Sequence, residues 1–278
     1  MTAAIVALDA GAGVRGAPGL QSVAMRALIA LLLLVVLVAC ETVPITGRSQ
    51  IMLVGEGTEL QMGLDAYKEI LGKAKVSNDP RVNEQVTRVG RRIAEATDRR
   101  DYQWEFRVID DPKVNAFCLP GGKVAVYTGM LPVARDDAGL AAVLGHEVAH
   151  AVARHGGERM SQQMAVQGLT VAGTQALLAG RDPGTVQMVG AALGAGATVG
   201  LLLPWGRSQE SEADHLGLIY MAKAGYHPQA ARDLWVRMGE ASKGREQLEF
   251  LSTHPLPATR IGQIEGWIPE AMKHYKPR

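Results

Sequence analysis

Apolar residues recur every three or four positions along much of the chain, which is the spacing of amphipathic helices. The first such stripe is formed by Leu60, Leu64, Tyr67 and Leu71. A second run follows Asp79-Pro80, a pair that favours a helix start because the aspartate can cap the helix and proline suits its first turn. The apolar stripe of this second helix consists of Val82, Val86, Val89 and Ile93.

The pattern then changes to alternation of apolar and polar residues, which predicts strands with one buried face. Trp104, Phe106 and Val108 form the first alternating segment. After the turn sequence at 120–122, a second one covers Lys123, Val124, Ala125, Val126 and Tyr127. These segments predict a small antiparallel sheet just before the next helix, so the predicted fold class is α+β and predominantly helical.

Helical spacing returns in a segment whose apolar residues are Leu140, Val143, Leu144, Val148 and Val152. Asp136 or Asp137 can cap its start, and Gly156-Gly157 is predicted to end it. The sequence His146-Glu147-Val148-Ala149-His150 therefore lies in the middle of a helix.

This HExxH sequence has the geometry of a zinc site, because residues four apart lie on one helix face and one turn apart. Both imidazoles can then reach one metal ion, and Glu147 can act on a metal-bound water. An accidental match is the alternative, which the helical context disfavours. His155 is five residues beyond His150, so it is predicted to point away from the metal, at the surface or near the helix C-terminus.

A catalytic zinc usually has three protein ligands and keeps one position open. The best third candidate is Glu210, in a predicted helix that Gly225 ends. Asp214 lies one turn further on the same face and can orient a histidine, whereas Glu212 is about 200° away from Glu210. The alternative is a solvated acidic helix start, which the helix dipole also favours.

Five separated motifs in this order resemble the HExxH zinc metallopeptidases that include CAAX prenyl proteases, mitochondrial inner-membrane quality-control proteases and bacterial periplasmic lipoprotein proteases. Besides HEVAH and the Glu-x-x-Ala-Asp segment, they are Thr46-Gly47-Arg48, the segment 115–122, and Ser252-Thr253-His254-Pro255 with Arg260. The resemblance covers about residues 44 to 268. It implies a zincin-like domain of about 58–278, one zinc ion held by His146, His150 and Glu210, Glu147 as catalytic base and Asp214 as an orienting residue.

The resemblance also assigns expected roles outside the two metal helices. The segment Lys123–Tyr127 would be an edge strand that binds the substrate backbone, with a plain scaffold hairpin as the alternative. His254 and Arg260 would approach the metal from the other side of the cleft and contact the substrate or stabilise the oxyanion. Alternatively, His254 binds zinc and closes the site as a gate, or is only a cap beside a proline.

The N-terminal region resembles a bacterial lipoprotein signal. Basic Arg26 precedes a short apolar run that ends in small residues before Cys40. Cleavage and acylation at Cys40 would leave residues 1–39 as an upstream extension and signal, with Met25 as the expected start, and 40–57 as a lipid-anchored tether. A permanent anchor helix is the alternative. The predicted location is the periplasm, in the outer membrane in preference to the inner one.

Residues 164–203 form an apolar stretch rich in glycine and alanine, broken at 180–184. Its two pieces are long enough to cross a bilayer. Tight packing in a soluble helical bundle is the preferred interpretation, with membrane contact or self-association as the alternative.

Composition changes this picture little. The chain has 278 residues, 47% of them hydrophobic, and a net charge of +1, which suits one sizeable domain and argues against nucleic acid as a partner. With Cys40 acylated, Cys118 would have no disulfide partner.

The predicted function is a periplasmic zinc endopeptidase that hydrolyses misfolded or misassembled envelope proteins. Its predicted partners are those substrates, the membrane through Cys40, and a second copy or the outer-membrane assembly machinery. A chaperone-like or assembly-factor lipoprotein with weak or conditional proteolysis is the alternative.

Overall fold

Helices make up most of the molecule, and two small sheets lie among them. The computed structural model describes residues 40–243 and 248–277. The strands are β1 (Cys40–Thr42), β2 (Ser49–Ile51), β3 (Glu105–Ile109), β4 (Ala116–Leu119) and β5 (Lys123–Tyr127). The helices are α1 (Glu56–Lys73), α2 (Pro80–Glu95), α3 (Met130–Ala134), α4 (Asp137–Val152), α5 (His155–Leu177), α6 (Pro183–Ala197), α7 (Leu203–Lys223), α8 (Gln229–Ala241), α9 (Glu249–Thr253) and α10 (Arg260–Met272), with a π-helical turn at Thr198–Leu202. The predicted class, α+β and predominantly helical, is confirmed.

Two helix starts follow the capping chemistry in the sequence. The side chain of Asp79 accepts a hydrogen bond from the backbone N–H of Arg81, and Pro80 opens α2. At α4 the cap is Asp136, which accepts from the N–H of Gly139 at 2.8 Å. Such caps satisfy N–H groups that have no partner inside the helix.

The HExxH helix α4 is the centre of the core, since every residue from Gly139 to Val152 is buried. It crosses α7 where two glycines meet. A Cβ atom on Gly145 would lie 2.9 Å from the carbonyl oxygen of Gly217, and one on Gly217 would lie 2.9 Å from the carbonyl carbon of Gly145. Any larger residue would push the helices apart, so this crossing brings the histidines of α4 close to the acidic turn of α7.

The three-stranded sheet has the order β3-β5-β4, with β3 parallel and β4 antiparallel to β5. The prediction that Lys123–Tyr127 is an edge strand is therefore wrong, because both edges of β5 are already paired. Among the described residues, β4 pairs only with β5. The strand that can accept an added backbone beside α4 is thus β4.

The segment predicted to be a tether belongs to the folded unit, which spans residues 41–278. Val43 and Met52 are buried, and Arg48 makes ion pairs with Glu158 and Glu212 of the helical domain. The predicted tether at 40–57 is wrong because these contacts join residues more than a hundred positions apart. The predicted signal at 1–39 lies outside the described residues.

The path of the chain after α4 also differs from the predicted one. Arg154 adopts a left-handed conformation with φ of 58°, and α5 begins at the next residue. Gly156-Gly157 is therefore not the predicted stop but part of the first turn of α5. Beyond it, α5 and α6 form a hairpin in which only Val166 and Thr174 are buried between residues 162 and 208. The prediction of a tightly packed soluble bundle at 164–203 is wrong, because this hairpin packs against little besides itself.

Candidate metal centre

Four side chains from three elements converge in the core. One potential ligand atom from each of His146, His150, Glu210 and His254 lies within 4.8 Å of the others, and all four residues are buried. Nε2 of His150 is 3.1 Å from Nε2 of His146 and 3.2 Å from Oε1 of Glu210. The structure thus brings the three predicted zinc ligands together and adds His254 to them.

The donor set suits zinc, which binds imidazole nitrogen and carboxylate oxygen. Burial raises the pKa of Glu210, but the three histidines around it outweigh this effect and lower the pKa below its ordinary value. Burial lowers the pKa of His150 well below its ordinary value. An ionised carboxylate and a neutral imidazole are the forms that bind the metal.

Glu147 lies beside this cluster without taking part in it. Its side chain is buried, and its Oε1 has no hydrogen-bond partner among the described residues, with Nε2 of His254 at 3.5 Å. Burial raises the pKa of Glu147 above its ordinary value. A buried carboxylate oxygen without a partner lowers stability, and such groups in native proteins often have a catalytic role, for example as a general base.

Asp214 lies beside His146, where the orienting role predicted for it is geometrically possible. Its Oδ1 lies 2.9 Å from Nδ1 of His146, which directs Nε2 of that ring toward the cluster. Burial raises the pKa of Asp214, but Arg260 and His146 hold the pKa below its ordinary value. The carboxylate is therefore available to accept a hydrogen bond from the ring.

Arg260 is buried behind Asp214. Its Nε donates to Oδ2 of Asp214 at 2.7 Å, and one terminal nitrogen donates to Oδ1 at 2.8 Å. The other terminal nitrogen donates to the backbone carbonyl of Pro255. The guanidinium also lies 3.5 Å above the ring centroid of Trp235. These contacts use three of five N–H groups. Stabilisation of an oxyanion by Arg260 stays a prediction, and its contacts in the structure position Asp214.

His254 follows the short helix α9 and closes one side of the cluster. Its Nδ1 lies 3.0 Å from Oε2 of Glu210 and 3.1 Å from Nε2 of His146. The ring stacks on Phe250, with a centroid distance of 4.4 Å. His254 is therefore in reach of a metal held by the other three residues, which is the placement that the gate interpretation requires.

His155 differs most from its prediction. It is fully buried, and its Nδ1 lies 2.8 Å from Nδ1 of His150 while its Nε2 lies 3.0 Å from Oε2 of Glu212. The surface position predicted for His155 is wrong, because the left-handed Arg154 turns the chain back toward the cluster. Glu212 contacts His155 and is not one of the four clustered residues.

This contact chain continues into the N-terminal segment. Nε of Arg48 donates to Oε2 of Glu212 at 2.8 Å, and Thr46 also donates to Glu212. Burial raises the pKa of Glu212, but hydrogen bonds from His155, Thr46 and Arg48 lower the pKa to about 2. Sequence reasoning missed this role, although the Thr46-Gly47-Arg48 motif was a signal for it.

A cavity of about 520 Å³ opens beside the cluster, between the base of the helical hairpin and the loop before α10. Glu210, Asp214 and Arg260 line it, together with Arg159 and Thr253.

Strand β4 carries Cys118, whose thiol lies near Glu147, and burial raises the pKa of that thiol well above its ordinary value. A raised pKa favours the neutral thiol, so the packing role suggested by Phe117 and Leu119 on either side stays a prediction.

Comparison with known proteins agrees with this site. Residues 80–268 match the family model for peptidase family M48. The mitochondrial metalloendopeptidase OMA1 of Schizosaccharomyces pombe is 40% identical over 237 residues, which cover 83% of this chain and 67% of that protein. The protein of the same name from Saccharomyces cerevisiae is 32% identical over 257 residues, covering 84% and 70%. The beta-barrel assembly-enhancing protease of Escherichia coli is 28% identical over 228 residues, covering 80% of this chain and 46% of that protein.

These relatives contradict the predicted location. The more similar proteins, from both yeasts and from cattle, carry names that place them in mitochondria, so the periplasmic, outer-membrane location is wrong by this comparison. A short apolar run before a cysteine is a compositional signal, and anchors and targeting segments share it. Acylation of Cys40, which is exposed at the start of β1, stays a prediction.

The matched region contains the three-stranded sheet, both helices that carry the cluster, and the loop with His254. The roles of the individual ligands and of Glu147 remain predictions that the geometry supports. The family match and the similarity to named metalloendopeptidases, together with the donor set, show that the chain belongs to peptidase family M48 and is a zinc metalloendopeptidase.

Proposed function

We propose that this endopeptidase degrades misfolded or misassembled membrane-associated proteins. The observation that carries the catalytic part is the unpartnered Oε1 of Glu147 beside the buried cluster. Support for the quality-control part comes from the relative named as an assembly-enhancing protease and from the edge of β4, which pairs with no second strand among the described residues and could pair with an extended backbone. Recognition through backbone hydrogen bonds suits an enzyme that cleaves unfolded, extended segments regardless of their sequence.

The residues of the chain divide the reaction among them. His146, His150 and Glu210 would hold the zinc ion, which when bound would polarise the scissile carbonyl and a water molecule as a Lewis acid. Glu147 accepts a proton from the attacking water and later delivers it to the leaving amine. The substrate backbone pairs with β4, which holds the scissile bond against α4.

His254 makes the proteolysis conditional in this proposal. Its Nδ1 is within 3.1 Å of both Glu210 and His146, so the ring covers one side of the cluster, and the proposal is that a substrate approaches from this side. The ring lies between the end of the five-residue helix α9 and Pro255, and we propose that this short segment moves when a substrate binds. Displacement of His254 would uncover the side of the cluster formed by His146, His150 and Glu210.

Comparative proteomics of cells that carry the Glu147→Gln variant tests the proposal. We expect a set of membrane-associated proteins to accumulate, and zinc content of the purified variant to stay unchanged. A chaperone or assembly factor makes the opposite prediction, because Glu147→Gln would then leave the cells normal while deletion of the whole chain would not. That result would overturn the proposed function.

A further inference from the structure

The helical hairpin formed by α5, α6 and the π-helical turn exposes an unusual amount of apolar surface. Leu169, Val171, Leu177, Met188, Leu193 and Val199 expose between 43% and 76% of their surface. Soluble monomers rarely leave a continuous apolar patch of this kind uncovered. The hairpin therefore has a partner, and its own features identify it.

The distribution of charge is the first of these features. No charged residue lies between Arg159 and Arg181, or between Asp182 and Arg207. The two arms of the hairpin are residues 164–180 and 183–205, and neither contains a charged residue. Arg159 and Arg207 lie at the base of the hairpin, and the turn between the arms carries Arg181 and Asp182. A protein interface normally keeps a polar rim. Charges confined to the two ends of an apolar segment are typical of a membrane span, where arginine reaches the headgroups.

The apolar residues also surround each arm instead of forming one stripe. Leu169 and Val171 are two residues apart, as are Val199 and Leu201, so the members of each pair lie on nearly opposite faces, and all four are exposed. A second copy of the chain would cover one face of each helix. A helix that is apolar on all sides needs surroundings that are apolar on all sides.

Length gives a third, independent argument. Residues 164–180 and 183–205 rise about 25 and about 34 Å if helical throughout, against about 30 Å for the hydrocarbon core of a bilayer. The continuous helix Pro183–Lys223 is long and apolar enough to cross a membrane, and none of its most apolar window is buried. Trp205, which is 40% exposed, lies at the base, where aromatic residues favour the membrane interface.

We infer that this hairpin inserts into a lipid bilayer, with Arg159, Trp205 and Arg207 at the near headgroups and Arg181-Asp182 at the far ones. The inserted arms continue directly into the site, because α5 begins with His155 and α7 carries Glu210. Glu210 is five residues beyond Trp205, about 8 Å along the helix. The metal cluster then lies close to the membrane surface and faces polypeptide segments that emerge from the bilayer.

Spin-label accessibility tests the insertion at single positions, so that no other segment can produce the signal. Nitroxides are attached to Leu169→Cys or Leu193→Cys in the full chain carrying Cys40→Ser and Cys118→Ala, reconstituted into vesicles of phosphatidylcholine and phosphatidylglycerol. The matched control is Met62→Cys on α1, whose native side chain is 48% exposed and apolar. Zinc content verifies that each variant is folded.

We expect both hairpin labels to lose collisions with a water-soluble nickel chelate and to gain collisions with oxygen, while the label at position 62 keeps its nickel collisions. Persistent nickel collisions at positions 169 and 193 in the vesicle-bound protein would overturn the inference. Protection from both reagents, with spin coupling between labelled copies, would also overturn it, because a second copy would then be the partner.

Discussion

The contact between His155 and His150 makes a prediction about zinc affinity that concerns no ligand directly. If Nε2 of His150 binds the metal, Nδ1 must carry the proton, and Nδ1 of His155 accepts it at 2.8 Å. Burial lowers the pKa of His155, which keeps its ring neutral and able to accept, while its own N–H donates to Glu212. The His155→Phe variant keeps the ring volume and removes the acceptor.

The size of the effect follows from burial. Both histidines are buried, so the N–H of His150 would lose its partner without access to water. An unsatisfied buried donor costs about 1–3 kcal/mol, which corresponds to a loss of about 5- to 150-fold in zinc affinity. Orienting residues of other metal sites contribute roughly 10- to 100-fold, which is the same range.

Competition with a chromophoric chelator measures the zinc dissociation constant, and the spectrum of the cobalt-substituted protein reports ligand geometry. His155→Gln retains an acceptor and should recover part of the affinity. His215→Phe is the matched control, since His215 is also in a histidine–glutamate pair, with Glu270, but lies outside the cluster. Equal zinc affinities in the wild-type protein and in His155→Phe would refute the reasoning.

Three further substitutions separate the roles in the site. Glu147→Gln should lower turnover of an unfolded protein by roughly 10²–10⁴ with zinc retained, and loss of zinc, measured by elemental analysis, would contradict its role as a base. Glu210→Gln should lower zinc occupancy and turnover together, and full occupancy would show that another carboxylate binds the metal. His254→Ala should increase cleavage, including self-cleavage seen on gels, because it exposes the side of the cluster that His254 covers, whereas unchanged activity would leave His254 only a structural role.

The sequence was sufficient where the geometry is local. A helix fixes the relation between residues three or four positions apart, so His146 and His150, and likewise Glu210 and Asp214, could be placed on shared faces before the fold was known. Capping by Asp79 and Asp136 is local in the same sense. These two helices contribute three of the four clustered residues, whereas the placement of His254 beside them depends on long-range packing.

The errors concern contacts that helix periodicity cannot reach. Extending the helical periodicity of α4 beyond Val152 predicts that His155 faces away from the metal cluster. This prediction is wrong because one left-handed residue, Arg154, ends the periodicity. The central position of β5 depends on its parallel pairing with β3. The packing of Arg48 on the helical domain depends on an ion pair with Glu158, more than a hundred residues away in the sequence. Such long-range pairings leave no periodic trace in a single sequence.

Diffraction data from crystals of the zinc-loaded protein, collected on both sides of the zinc absorption edge, test the central assignment most directly. The account predicts one anomalous peak per chain, about 2.0–2.2 Å from Nε2 of His146, Nε2 of His150 and a carboxylate oxygen of Glu210. A peak bound by Glu212 and His155, or the absence of any peak between α4 and α7, would contradict it.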